Sequence, residues 1–393
     1  MATEATGDAR EIRLSLVRGD LAFRLQRRIG LIPADGLGVG RRIVVLAALS
    51  WLPIAVWATW TGRALAGVGE PLLQHFGVSV RCLVAIPLFV LAEAVAQATT
   101  AKLLPYLAES GLVAEGDRGR FLEVVRGVAR LRDQARPWIV LVALVVAWTL
   151  ASSASPVDHE LVWAEEGATH RPGFGGFWFV WVARPLYLLF VGVWLWRLCL
   201  LAVLFARLAR LPLAIVPTHP DGAGGLALLG QLPRLFASVV LGVSSVAAAR
   251  RAHEVVYHGV DIATLRLPML GLVILMVVVF LAPLLVFVPR LAAARRTALF
   301  EYGALVGQHG RMVRTRWIER RPVADDGLLA APELGPVADT LALYGAVQAM
   351  RPLPIDRGTL LAIVLPAALP MLAVLSIQVP IRELLLKVLK AVA

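Results

Sequence analysis

The most regular feature of the sequence is the alternation of long apolar stretches with polar and basic ones. Apolar stretches of bilayer length recur at about residues 43–61, 82–104, 137–152, 177–205, 226–249, 267–289 and 359–379. The third stretch is short, and Gln231, Pro233 and Arg234 interrupt the fifth, so six or eight spans are the alternatives to seven. The pattern predicts an all-α fold, a polytopic transmembrane helical bundle of about seven spans.

The polar stretches divide the chain into four parts. These are a basic N-terminal arm, a bundle of six spans, a helical segment, and a last span followed by an amphipathic helix, at residues 1–42, 43–289, 290–358 and 359–393. Within the bundle, apolar residues at helical spacing predict an amphipathic helix over residues 117–134. Residues 206–225 are predicted to form a loop.

Lys and Arg are distributed unevenly between alternate loops. If the N-terminus is cytoplasmic, the cytoplasmic side carries 28 of them and the opposite side 10. Because positively charged loops are retained in the cytoplasm, this distribution predicts a cytoplasmic N-terminus and a C-terminus on the outer side. The basic arm, the helix over 117–134 and the segment 290–358 would then be cytoplasmic.

The composition excludes an ordinary soluble protein. Hydrophobic residues make up 59% of the 393 positions, charged residues only 17%, and the mean hydropathy is +0.75. A net charge of +12 could serve nucleic-acid binding, but the basic residues flank apolar spans and are not interleaved with aromatic ones. We therefore predict the lipid bilayer as a partner and no nucleic acid. Cys82 and Cys199 lie in spans toward opposite faces, which argues against a disulfide.

Glu93 lies near the middle of the second predicted span. An unpaired carboxylate is costly in hydrocarbon, so Glu93 is expected to face the bundle interior and to pair with a cation. Arg184 and Arg197 in the fourth span are the candidates, and Arg184 matches the depth of Glu93 better. Such a polar intramembrane site indicates a proton or ion relay. The alternative is a structural ion pair that fixes helix packing.

The loop Thr218–Leu226 holds the densest cluster of His, Asp, Pro and Gly in the chain. Asp221 is predicted to cap the following helical segment by accepting a hydrogen bond from the backbone N–H of Ala223 or Gly224. A loop of this kind can approach a small ion or an anionic ligand closely. The candidate residues of this ligand or gate loop are His219, Asp221, Gly222, Gly224 and Gly225. A capped turn without a ligand is the alternative.

The histidines predicted on the outer side are weak candidates for a metal site. His253 and His258 are five residues apart and cannot share one helical face. A site would require separate loops to meet, and the further donors available there are His159, Glu160, His170 and Asp261. Solvated loop residues are the alternative. No cofactor and no catalytic residue are predicted, because no nucleophile or phosphate-binding lysine accompanies any of these clusters.

A stripe of small residues runs along the fifth span, at Ser238, Gly242, Ser245 and Ala249. Small residues allow close approach of helices. The stripe predicts a close contact inside the bundle, and the alternative is a contact across a homo-oligomer.

Four short segments carry a resemblance to known sequences. They are Thr218–Leu226, Phe300–Gly303, Arg316–Glu319 and Met350–Pro354. Together they resemble a group of uncharacterised bacterial multi-pass membrane proteins that share the Thr-His-Pro-Asp-x-Ala-Gly-Gly-Leu loop. The resemblance covers most of the chain from the first span onward. It implies a bacterial inner membrane, hence a periplasmic C-terminus, and it implies no catalytic residue.

Three functions follow as hypotheses. The first is a channel or transporter-like protein in which Glu93 and Arg184 line a polar interior and the Thr218–Leu226 loop acts as a gate or ligand site. The second is a non-transporting membrane scaffold or signalling partner that recruits another protein through its basic helices. The third is a membrane-embedded enzyme.

Overall fold

A computed structural model describes residues 15–65, 70–153, 159–166, 171–322 and 335–378. Most of this part of the chain, 78%, is helical, which confirms the all-α prediction. Its only strands are the two-residue pair Glu165–Glu166 and Arg171–Pro172, which lie antiparallel. The amphipathic helix predicted after the last span lies outside the described residues.

The helices are numbered here in chain order. They are α1 (Leu21–Arg28), α2 (Val39–Trp60), α3 (Phe76–Glu109), α4 (Arg118–Asp133), α5 (Arg136–Ser153), α6 (Phe174–Leu208), α7 (Gln231–Arg234), α8 (Ala237–Tyr257), α9 (Ile262–Leu281), α10 (Val288–Val313), α11 (Gly335–Ala349) and α12 (Arg357–Leu375). Helices α3 and α6 include the π-helical turns Arg81–Ala85 and Phe179–Ala183, and a third π-helical turn, Arg314–Ile318, extends α10. Short 3₁₀ helices lie at Leu72–Gln74, Glu115–Asp117, His159–Ala164, Ala227–Gly230 and Ala282–Phe287.

Among the residues that the structure describes, five helical runs are long and apolar enough to cross a membrane. They are α2, α3, α6, the continuous run Ile262–Ile318 that contains α9 and α10, and α12. Two bent pairs, residues 115–133 with 136–152 and residues 227–234 with α8, raise the number to seven when each is counted as one span. The chain is therefore a multi-pass membrane protein whose described residues hold five to seven helices able to span the membrane, and the predicted seven is the upper value.

The amphipathic helix predicted over 117–134 is confirmed as α4. Phe121, Val125 and Val128 lie on one face and are buried, as their helical spacing requires. The helix ends where Gln134 adopts extended backbone. Pro137 then falls in the first turn of α5, where its missing N–H breaks no hydrogen bond of the helix.

The described part of the N-terminal arm, residues 15–42, packs against the bundle. Leu16 and Val17 are fully buried, and Asp20 caps α1 by accepting a hydrogen bond from the backbone N–H of Phe23 at 2.7 Å. The hydroxyl of Ser15 donates to the side chain of Gln97 in α3, and Arg132 of α4 donates to the carbonyl of Ser15. Apolar residues within a basic sequence thus bring the arm into the core.

The small-residue stripe of α8 serves contact within the chain. A Cβ atom on Gly242 would lie 2.9 Å from the ring of Phe89 in α3, closer than packed carbon atoms approach. The nearby indole of Trp194 in α6 donates to the carbonyl of Phe89 at 3.2 Å. Helices α3, α6 and α8 are therefore in direct contact at the centre of the bundle.

The two ends of the bundle carry different polar groups. The histidine end is where three segments meet, residues 70–76, 159–166 and 250–262. The loop end is the opposite one, with residues 15–38, 209–235 and 350–357. These two names are used below.

Candidate functional site

The first polar group is a buried cluster of four charged side chains. Glu93 of α3 lies between two arginines, with Nη2 of Arg197 at 2.9 Å from Oε1 and Nη2 of Arg42 at 2.5 Å from Oε2. Asp20 completes the cluster with a 2.8 Å contact to Arg197. Each of the four is at most 3% exposed. Two carboxylates thus balance two guanidinium groups, as buried charges require.

Of the two candidate arginines in α6, Arg197 contacts Glu93 and Arg184 does not. Arg184 instead contacts Glu160 at 3.3 Å, and Arg81 contacts the same carboxylate at 3.2 Å. Arg184 is therefore at the level of Arg81, which is 12 residues from Glu93 along α3, or about 18 Å on an α-helix. The expected pairing with Arg184 was wrong because Glu160 in the 3₁₀ helix His159–Ala164 holds that side chain at the histidine end.

The buried cluster joins elements that are distant in sequence. Asp20 comes from the arm, Arg42 from the first turn of α2, Glu93 from α3 and Arg197 from α6. Arg197 also stacks on the ring of Trp194, with its guanidinium carbon 4.6 Å from the ring centroid. Removal of any one charge would leave an unbalanced charge in the core. The relay role of Glu93 stays a prediction.

The second polar group is the Thr218–Leu226 loop. The carboxylate of Asp221 accepts hydrogen bonds from the backbone N–H groups of Ala223 (2.8 Å), Gly225 (3.1 Å) and Ala227 (3.1 Å). The predicted acceptor role of Asp221 is confirmed, and Ala223 is the donor at the first of the two expected positions. Burial would raise the pKa of Asp221, but these three backbone donors hold it below its usual value.

Hydrogen bonds from Arg351 to backbone carbonyls hold the Thr218–Leu226 loop in place. The backbone N–H of Arg351 donates to the carbonyl of Gly222 at 2.7 Å, and its guanidinium donates to the carbonyl of Asp221 at 3.0 Å. Gly222, Gly224 and Gly225 all have positive φ, which favours glycine. The half-exposed His219 lies 2.9 Å from Asp221. Because Asp221 already uses the amides that an anion would need, the geometry favours an ordered turn, and the ligand or gate role stays a prediction.

The third polar group is a cluster of Glu70, His75 and His253 at the histidine end. Oε2 of Glu70 lies 3.3 Å from Nε2 of His75 and 3.4 Å from Nε2 of His253. None of these three buried atoms has a hydrogen-bond partner among the described residues. The imidazole rings of His75 and His253 are stacked, with centroids 4.5 Å apart. Oε1 of Glu70 lies 3.4 Å from Nε2 of His258.

The tautomer of His253 follows from its other nitrogen. Nδ1 lies 2.9 Å from the carbonyl oxygen of Gln74, which can only accept a hydrogen bond, so Nδ1 carries the proton. In the tautomer with its proton on Nδ1, Nε2 of His253 presents a lone pair to a carboxylate oxygen. Two acceptor atoms at this distance repel each other unless a cation lies between them. Burial and the neighbouring His253 lower the pKa of His75 to about 4, so His75 is neutral at physiological pH.

The distances fit a metal ion. Donors around a tetrahedral zinc ion at about 2.0–2.1 Å are separated from one another by about 3.3–3.4 Å. Both contacts of Glu70 Oε2 have this length, and the three donor atoms all lie within 4.8 Å of one another. A hydrogen bond from the second ring nitrogen to a backbone carbonyl, as made by His253, is the arrangement typical of metal-binding histidines.

A cavity adjoins this cluster. It has a volume of about 230 Å³, and His75, His253 and His258 form part of its wall together with Glu160, Arg250 and Glu254. Burial would raise the pKa of Glu160, but Arg81 and Arg184 hold it below its usual value, so Glu160 is ionised. A metal ion held by three protein donors here would keep a coordination position on the cavity side.

The sequence suggested only part of this cluster. His253 was a candidate, but Glu70 and His75 were missed, since a donor 178 residues away leaves no local spacing signal. His258 follows the end of α8, so the helical-face argument against the two histidines does not apply to it. Asp261 caps α9 through the N–H of Ala263 at 2.9 Å, and His170 lies outside the described residues.

Comparison of the chain with protein-family models, with curated proteins and with solved structures finds no match.

Proposed function

We propose that this protein binds a divalent transition-metal ion at its histidine end, with Glu70, His75 and His253 as ligands. A single observation carries the proposal. The lone pair of His253 Nε2 faces Oε2 of Glu70 at 3.4 Å, and neither atom has a hydrogen-bond partner among the described residues. A metal ion bound by all three donors removes this repulsion.

The ligand chemistry favours Zn²⁺. Imidazole nitrogen and carboxylate oxygen in a tetrahedral arrangement suit zinc, and two histidines with one glutamate form a common set for zinc that keeps one position open. The residues that would hold the ion come from the 70–76 segment and from α8.

We further propose that the protein lies in a bacterial inner membrane with its histidine end in the periplasm. The distribution of Lys and Arg, 28 against 10, supports this orientation, because the loop end then lies in the cytoplasm. The bacterial membrane is supported by the resemblance of the Thr218–Leu226 loop. In this orientation the site would meet metal ions outside the cytoplasm.

The channel or transporter function predicted from the sequence stays a second hypothesis. It depends on Glu93, whose carboxylate is held between the guanidinium groups of Arg42 and Arg197. We expect the function of the protein to depend on the metal site at the histidine end, and the buried cluster of Asp20, Arg42, Glu93 and Arg197 to stabilise the fold.

Metal analysis of the purified protein tests the proposal. The chain, carrying an affinity tag without histidine, is extracted in a maltoside detergent, stripped with a chelator, dialysed against Zn²⁺ and analysed by plasma mass spectrometry. We expect about one zinc ion per chain, bound by nitrogen and oxygen donors in the X-ray absorption spectrum.

The variants His75→Ala and His253→Ala are expected to lose this zinc, whereas the matched control His219→Ala, at the loop end, keeps it. If the double variant His75→Ala/His253→Ala retains as much zinc as the wild type, the proposal is wrong.

A further inference from the structure

We infer that the cavity beside the metal site binds a phosphate group, held between the open position of the metal ion and the guanidinium group of Arg250. This inference rests on the proposed metal site. It adds the chemical class of the ligand, which the three metal donors do not determine.

The cavity has room for such a group. Its volume is about 230 Å³, several times that of one water molecule, whose share of the liquid is about 30 Å³. Two metal ligands, His75 and His253, form part of the wall, and so does Arg250. Gly77, Val78 and Val260 supply an apolar part of the wall. A ligand that enters the cavity therefore meets both the metal site and a cation.

The charges around the cavity favour an anion. Glu160 is shared by two arginines, Arg81 and Arg184, at 3.2 and 3.3 Å. Glu254 is paired with Arg251 at 2.7 Å. Each of the two glutamates in the cavity wall thus has at least one arginine as its ion-pair partner.

A divalent ion bound by one carboxylate and neutral histidines leaves a positive charge at the metal site. Four arginines, Arg81, Arg184, Arg250 and Arg251, then stand against the three glutamates that contact them or form the metal site, Glu70, Glu160 and Glu254. With the metal ion included, the net charge of these groups is positive. A dianionic phosphate group would compensate it.

Arg250 is the residue best placed to select phosphate. Its side chain is 62% exposed, and its Nε lies 3.6 Å from Glu254, longer than a hydrogen bond. The planar guanidinium group can donate two parallel hydrogen bonds to a phosphate. Arg81, by contrast, is buried and committed to Glu160.

The phosphate can come from water or from a lipid headgroup. Exposed aromatic side chains surround the histidine end, and such residues mark the level of the lipid headgroups. They are Trp60, Phe174, Phe177 and Trp181. The shared ligand chemistry is a phosphate monoester or free phosphate, and the experiment separates the two sources.

Titration calorimetry with inorganic phosphate tests the inference. The zinc-loaded protein in maltoside detergent, with its zinc content measured in the same sample, is expected to bind phosphate, and the zinc-free protein to bind it at least about tenfold more weakly. Arg250→Gln is expected to weaken phosphate binding about tenfold while the zinc content stays unchanged. The matched control Arg266→Gln changes an exposed arginine at the same end and should have no effect.

A second arm identifies the source. The zinc-loaded protein is placed in nanodiscs of phosphatidylcholine, with or without phosphatidic acid, and titrated with inorganic phosphate. If the lipid headgroup occupies the cavity, phosphatidic acid weakens phosphate binding in the wild type but not in Arg250→Gln. If free phosphate is the ligand, phosphatidic acid has no effect.

The outcomes distinguish the two proposals. Absence of stoichiometric zinc overturns the metal site. Stoichiometric zinc without phosphate binding in either arm, or phosphate binding unaffected by Arg250→Gln, overturns the phosphate inference alone.

Discussion

Two glutamates of this protein lie in similar surroundings and lead to opposite conclusions. Glu93 and Glu70 each lie between two basic side chains in the packed part of the molecule. The groups that face Glu93 are guanidinium groups of Arg42 and Arg197, which are always protonated and can only donate. The groups that face Glu70 are imidazoles, of which at least that of His253 presents a lone pair.

The difference lies in the atoms that remain without partners. In the Glu93 cluster, the atoms left over are four N–H donors and one carboxylate oxygen around balanced charges: Nη1 and Nη2 of Arg42, Nε and Nη1 of Arg197, and Oε2 of Glu93. In the Glu70 cluster they are Oε2 of Glu70 and Nε2 of both histidines, which converge on one point. A balanced set of fixed charges holds helices together, whereas convergent acceptors bind a cation. We therefore interpret the first cluster as a packing element and the second as the proposed metal site.

The largest effect is expected from Glu93→Ala. The change leaves two buried guanidinium groups against the single carboxylate of Asp20, and removal of one partner from a buried ion pair costs about 3–5 kcal/mol. We expect the folded fraction of the variant to fall at a lower temperature than that of the wild type. The folded fraction is measured by size-exclusion chromatography of heated detergent extracts. The control Glu109→Gln, an exposed glutamate of the same helix, should behave as the wild type.

The double variant Glu93→Gln/Arg42→Gln sharpens this test. Glu93→Gln alone unbalances the cluster, and the second change restores the balance between Arg197 and Asp20, so the double variant should be more stable than Glu93→Gln. A relay role predicts another result, namely normal abundance of Glu93→Gln with a changed pH response. Normal thermal stability of Glu93→Gln would contradict the packing role.

An intermediate effect is expected at Glu70. Zinc at about 100 times its dissociation constant should stabilise the wild type by about 2.7 kcal/mol, and a chelator should reverse this. In Glu70→Gln the response to zinc is lost. Without zinc, the variant should be at least as stable as the wild type, because the amide can donate to a histidine lone pair that the carboxylate repels.

The same measurement distinguishes a metal ion from a proton. If a protonated histidine paired with Glu70 accounted for the cluster, Glu70→Gln would destabilise the zinc-free protein, since an ion pair would be lost. Thermal unfolding of both proteins at neutral pH, with and without chelator, decides between these results.

The fold was predictable because its signals are local. Apolar length predicted the spans, the spacing of Phe121, Val125 and Val128 predicted α4, and the residue type of Asp221 predicted that it accepts a backbone hydrogen bond. The helix that Asp221 was expected to cap begins only at Ala227, and its N-cap residue is Leu226. Both charged clusters, in contrast, are built from segments far apart in the chain. Arg42 appeared to belong to the basic arm, and nothing near His75 in the sequence indicates that His253 packs on it. Contacts of this kind depend on how the helices pack, which periodicity does not specify.

The smallest effect is expected at the loop end, where Asp221 tests whether a polar loop is a site or a turn. Asp221→Ala removes the acceptor of three backbone N–H groups and should cost about 1–2 kcal/mol, the range for loss of a capping residue. Because the pKa of Asp221 is lowered in the folded protein, its contribution is present above the pKa of the unfolded chain and is lost as the pH falls through the folded value. The stability difference between wild type and variant should therefore shrink below about pH 4. His219→Ala, at the half-exposed neighbour, should change stability by less. The ligand or gate role would instead be supported if Asp221→Ala keeps wild-type stability but loses binding of an anionic ligand that does not depend on zinc. The ligand site would then lie at the loop end and not at the histidine end.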